Sequence, residues 1–110
     1  MRTHQEIDER SLMLHRFVAD KIRQDPAQFA VAKATLARWR ALTDAAYQPY
    51  LERWEDLMSQ GMEACLAVAV EQSERADALR QNSPFSGILT NSERFTLLKS
   101  WKRTDETSSA

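Results

Sequence analysis

The chain has 110 residues, 43% hydrophobic and 28% charged, with 15 basic side chains against 16 acidic ones and a formal charge of −1. That length fits one domain with a modest core and leaves little room for separate catalytic and regulatory units. The near balance of charge excludes a global field toward nucleic acid or an anionic membrane, and the apolar content excludes disorder over the whole chain.

Only two glycines and three prolines interrupt stretches rich in Ala, Leu, Glu and Arg, side chains that lose little freedom in a helix. Runs of β-branched residues are scarce, so the fold class expected is all-α: a compact orthogonal or bundle-like domain of five to seven helices over residues 1–103, followed by a flexible polar tail at 104–110. Ile7, Leu14, Val18 and Ile22, with Phe17 broadening the stripe, predict a first helix over residues 5–24. Asp25-Pro26 ends it, and Asp25 with Gln28 has the spacing of a capping box for a second helix beginning at Pro26. Phe29, Ala32, Leu36 and Trp39 carry that helix to about residue 45, making a natural antiparallel pair with the first. Gln48-Pro49 starts a shorter helix with Leu51, Trp54, Leu57 and Met58 inward, and Gly61 closes it. Met62, Cys65, Leu66 and Ala69 mark another, and Ala76 with Leu79 one more within 72–81.

Residues 83–95 form the most distinctive segment. Pro84 restricts the backbone and disfavours helix at Ser83, Gly87 offers access to left-handed backbone, and Phe85 and Ile88 offer apolar anchors. Thr90 and Glu93 have the spacing of a reciprocal capping box that opens a final helix with Phe95, Leu98 and Trp101 inward, ending near Arg103. Pro84, Gly87, Thr90 and Glu93 are therefore the architectural connector. Arg80 and Arg94 flank it, and guanidinium forks suit a partner's carboxylate or phosphate. A second surface gathers Arg38, Trp39, Arg40, Tyr47, Tyr50 and Trp54, residue types that anchor protein interfaces, although both tryptophans also fall on apolar helical stripes.

Chemistry has little local warrant. Cys65 is alone in an apolar run, which rules out an internal disulfide and opposes a thiolate. His4 and His15 lack a carboxylate or thiolate cluster, so no metal or cofactor is expected. Glu6, Glu9, Glu52, Glu55, Asp56 and Glu63 read as polar faces, and no phosphate-binding glycine loop, nucleophile elbow or Cys-x-x-Cys pair occurs, so the expectation is a protein that is not an enzyme. No apolar run approaches the ~20 residues of a membrane span, and no signal peptide is evident, which points to the cytoplasm.

The segments Leu14-His15-Arg16, Lys21-Ile22-Arg23-Gln24-Asp25-Pro26, Ala37-Arg38-Trp39, Leu79 through Thr90 and Glu93-Arg94-Phe95 resemble small bacterial antitoxin-like proteins encoded beside toxin-like genes, with Ser83-Pro84-Phe85-Ser86-Gly87 the most diagnostic part. The resemblance implies a non-enzymatic protein-interaction module that sequesters a partner enzyme. Its anchors would be Trp39, Arg40, Arg80, Phe85 and Arg94. Two other readings stand beside it: a DNA-binding transcriptional regulator using Arg94, Lys99, Lys102 and Arg103, and a structural adaptor that closes a homo-oligomer.

Overall fold

A computed structural model describes residues 4–42 and 44–108, and the side chains of residues 5–42 and 44–101. Six α-helices and one turn of 3-10 helix make up the regular structure, with no strand among the described residues: α1 (His4–Gln24), α2 (Ala27–Leu42), a short turn (Ala45–Tyr47), α3 (Gln48–Gln60), α4 (Met62–Ala69), α5 (Glu74–Arg80) and α6 (Asn91–Ser108). The all-α expectation holds.

Helix α1 is the hub, packing on α2, α4, α5 and α6. Leu14, Val18 and Ile22 repeat at four-residue spacing, so one stripe of α1 enters the core together with Ala19, while Ile7 and Phe17 lie at its margin, each about two-fifths exposed. Helix α2 touches α1 but lies chiefly against α3, so the dominant hairpin is α2–α3 rather than the α1–α2 pair the pattern suggested. The centre of the core is Trp54, wholly buried with its indole edge-on to Phe85 at 5.4 Å between ring centroids. The indole Nε1–H donates to the Leu79 carbonyl at 3.0 Å, an acceptor at the end of α5 that also takes the Asn82 N–H at 3.0 Å, and so ties α3 to that helix end.

Boundaries follow local chemistry. Asp25 does not cap α2 through a backbone amide; its carboxylate accepts from the Gln28 side chain at 3.1 Å, and α2 begins at Ala27, one residue after Pro26. It ends at Leu42, before the expected residue 45, and Pro49 falls in the first turn of α3, where a missing N–H costs nothing. Gly61 separates α3 from α4 with φ of +122°, a conformation that L side chains rarely adopt. Ser73 caps α5 by accepting from the Ala76 amide. Gly87 differs from expectation: its φ is not positive and an added Cβ would meet nothing within 4 Å, so no left-handed freedom is used there. In α6 the inward residues are Leu97 and Leu98, whereas Phe95 is 68% exposed, and the helix continues to Ser108, past the end expected near Arg103.

Candidate functional site

Residues 81–90, between α5 and α6, close the core from one side. Pro84 and Phe85 are fully buried, and Ile88 and Leu89 nearly so. Burial of a phenylalanine of this kind is worth about 1.5–3 kcal/mol in transfer free energy, which offsets the ordering of an otherwise irregular segment. Polar ties fix its path. The Phe85 N–H donates to Ser83 Oγ at 3.1 Å and the Ile88 N–H to the Phe85 carbonyl at 3.1 Å. Thr90 and Glu93 form the reciprocal capping box, the Thr90 N–H donating to Glu93 Oε1 at 2.9 Å and the Glu93 N–H to Thr90 Oγ1 at 3.1 Å. Lys21 of α1 then reaches Glu93 Oε1 at 2.6 Å and the Ile88 carbonyl at 2.8 Å, pinning the start of α6 to the hub helix. The Lys21 ammonium, helped by the Thr90 N–H, holds the Glu93 carboxyl below the usual carboxylate range.

A buried relay crosses from α1 to this segment. His15 Nδ1 lies 2.7 Å from the Ser11 carbonyl and Nε2 lies 2.7 Å from Ser83 Oγ. A carbonyl only accepts, so the proton sits on Nδ1; Nε2 must then accept from the Ser83 hydroxyl, whose oxygen accepts the Phe85 N–H. Every group in the chain Phe85 N–H, Ser83, His15, Ser11 carbonyl is thereby satisfied with a neutral imidazole. Burial lowers the His15 pKa from 6.5 to about 4 against the opposing Ser11 bond, with the nearby Arg80 and Arg94 charges adding to the depression. The order serine, histidine, acceptor resembles that of a nucleophile with its base. Ser83 is 4% exposed, however, and its oxygen already accepts the Phe85 amide, so what this arrangement does is hold the turn.

Above the relay, a cavity of about 230 Å³ opens between α1, the end of α5 and the start of α6. Arg80, Phe85 and Arg94, three residues singled out in the sequence, line it together. Their surroundings differ from those of interface anchors. Phe85 has no exposed surface and packs between Trp54 and His15, so it is a core residue rather than a partner contact. Arg80 is 4% exposed: Nη1 donates to the carbonyls of Ala69 at 3.1 Å and Glu71 at 2.8 Å, and Nη2 pairs with Asp77. It thus satisfies carbonyls at the end of α4 instead of reaching outward, although its Nε–H is buried without an acceptor among the described residues. Arg94 remains half-buried at the cavity rim, donating Nη2–H to the Ser86 carbonyl at 2.9 Å.

The other two anchors stand elsewhere. Trp39, partly buried against the core, borders a shallow cavity of about 270 Å³ with Tyr47, Leu51, Gln81 and Asn82. Arg40 braces the α2–α3 corner, lying 3.7 Å from Glu52 and 3.6 Å from Glu55, while the Gln48 amide donates to its carbonyl at 3.1 Å. Around this corner Leu42 is 82% exposed, Tyr47 49% and Tyr50 39%. Trp54 is in the core and does not contribute to that surface. Of the basic residues assigned to DNA, Lys99 is exposed on α6 and Arg94 is tied to Ser86, while the side chains of Lys102 and Arg103 lie outside the described residues.

Cys65 is fully buried, which pushes its thiol up to about 12 and keeps it protonated. Among the described residues no group of three or more His, Cys, Asp or Glu side chains is placed to hold a metal ion, and no helix is long and apolar enough to cross a membrane. Among the described residues, fold and site together define an all-α, six-helix domain with an internal polar relay and, among its surface depressions, one beside Phe85 and one beside Trp39. Comparison of the chain with protein-family models, curated proteins and solved structures found no match.

Proposed function

We propose that this chain is a protein-recognition module whose contact surface is the α2–α3 corner, formed by Trp39, Leu42, Tyr47 and Tyr50 beside Arg38 and Arg40. The carrying observation is the exposure of Leu42 and Tyr47 next to the Trp39 depression, where burial under a partner would remove large apolar groups from water. Carboxylates support a protein partner over a nucleic acid: Asp44, Glu52 and Glu55 stand among the arginines, and Arg40 is already neutralised by two of them. The resemblance to antitoxin-like proteins makes a toxin-like enzyme the partner and the cytoplasm the place of encounter. On this reading the 83–95 segment holds the shape and the corner makes the contact.

Reconstitution tests it. The wild type forms a one-to-one complex with a protein captured from its native cell and repurified, and a Leu42→Asp/Tyr47→Ala variant of unchanged helicity binds at least about thirtyfold more weakly, the loss of a hot spot. Retention of the complex by that variant rejects the corner. A doubled mass in sedimentation without added protein favours the homo-oligomeric adaptor, and a specific DNA complex that weakens steeply with salt favours the regulator.

A further inference from the structure

The 230 Å³ cavity has two chemically distinct parts. Ile7, Leu14, Val18 and Leu89 give it apolar walls, while Arg10, Arg80 and Arg94 bring three guanidinium groups to its lining against the single carboxylate of Asp8. We propose that this cavity binds a small organic carboxylate, its apolar body against Leu14, Val18 and Leu89 and its anionic head between Arg10 and Arg94.

Charge argues for the anion. Arg10 has no ion pair or hydrogen bond to another described residue, and Arg94 commits to the Ser86 carbonyl only one of the five N–H groups a guanidinium carries. Arg80 contributes field rather than direct contact, being closed from solvent and partly neutralised by Asp77. Both Arg80 and Arg94 lower the proton affinity of His15 on the cavity lining, so their potential reaches the space a ligand would fill. A buried Nε–H left without an acceptor is uncommon in folded proteins, and Arg80, one of the residues lining this cavity, carries one.

Size and polarity select the class. The volume lies below the ~300–1,000 Å³ of drug-sized pockets, which suits a straight or branched acid of about six carbons. Inorganic phosphate would use the arginines and leave the apolar walls in water. An alcohol of the same length would fill the walls and leave the arginines without their charge-assisted bonds. The site is separate from the α2–α3 corner in its contacts, though Gln81 borders both depressions.

Titration of the full chain with sodium hexanoate, followed by amide NMR and calorimetry, tests the assignment. Saturable shifts are expected in residues 7–18 and 86–94, with binding at least about tenfold weaker for Arg10→Gln/Arg94→Gln. Arg10→Gln alone, which breaks no bond among the described residues, is expected to weaken binding in the same direction and serves if the double variant loses helicity. Hexanol or hexylamine binding as tightly as hexanoate overturns the proposal. So does displacement of hexanoate by equimolar inorganic phosphate, unchanged affinity in Arg10→Gln and the double variant, or the absence of shifts in those residues.

Discussion

Acidification reads the His15 relay directly. In the folded protein the imidazole is neutral, donating from Nδ1 to the Ser11 carbonyl and accepting at Nε2 from Ser83, and its pKa is lowered from 6.5 to about 4. Because the folded value lies below the unfolded one, the unfolded chain takes up the proton first as pH falls. The contribution is therefore whole above pH 6.5, shrinks between 6.5 and 4, and is gone below 4. The full interval corresponds to about 3 kcal/mol, of which about 2 kcal/mol is lost between roughly pH 7.5 and pH 5, a large part of the stability of a domain this small. Urea unfolding followed by tryptophan fluorescence, at several pH values, measures it. His15→Gln keeps a donor and an acceptor without a titrating group, so the wild type should lose about 2 kcal/mol more than the variant over that interval. Glu71 and Glu93, both held low by cationic partners, contribute equally to the two proteins and cancel in the difference. Equal losses in wild type and variant would refute the buried neutral relay, as would a His15 titration by NMR with its midpoint near 6.5.

Phe85→Ala should destabilise the free protein by about 3–5 kcal/mol in the same assay, because it empties a fully buried site between Trp54 and His15. A loss below about 1 kcal/mol would place Phe85 outside the core. Gly61→Ala should cost about 1 kcal/mol or more, since φ of +122° strains any L side chain, whereas Gly87→Ala should be neutral or stabilising by about 0.4–1 kcal/mol. Reversal of that order in thermal denaturation would contradict the two backbone assignments. Thr90→Ala should cost about 1 kcal/mol through loss of the α6 cap, and amide exchange should accelerate first in residues 91–94.

What could be read from the sequence was what lies close in the chain. Pro49, Gly61 and the Thr90–Glu93 box act within a turn of themselves, so residue type alone located both ends of α3 and the starts of α4 and α6 to within a residue or two. Long-range pairs left no such mark. His15 and Ser83 are 68 positions apart, and each alone looks like an ordinary polar residue on a helix or in a turn. Arg80 carried a signal that was available: it follows Ala76 by one helical turn and lies next to Leu79, so it sits on the buried face of α5. A long cation on an apolar face implies carbonyl or carboxylate partners waiting for it, here Ala69, Glu71 and Asp77. Phe95 misled in the opposite direction, since its spacing with Leu98 fits a helix face but Leu97 is the residue turned inward beside Leu98.

The polar groups of the 83–95 segment explain why its apolar residues can sit inside at all. A connector that buries its own Pro84, Phe85, Ile88 and Leu89 would strand those backbone donors and acceptors that go in with them, each at a cost of about 1–3 kcal/mol. Ser83 takes the Phe85 amide, Lys21 takes the Ile88 carbonyl, Arg94 takes the Ser86 carbonyl, and Thr90 and Glu93 exchange bonds across the start of α6. His15 completes the set by accepting the Ser83 hydroxyl. Two of those partners, His15 and Arg94, also line the cavity beside Phe85, where Arg10 and Arg80 add positive charge to the apolar walls. The same bonds that let Phe85 enter the core thus create the cavity beside it, so loosening the connector should both destabilise the fold and weaken any carboxylate held there.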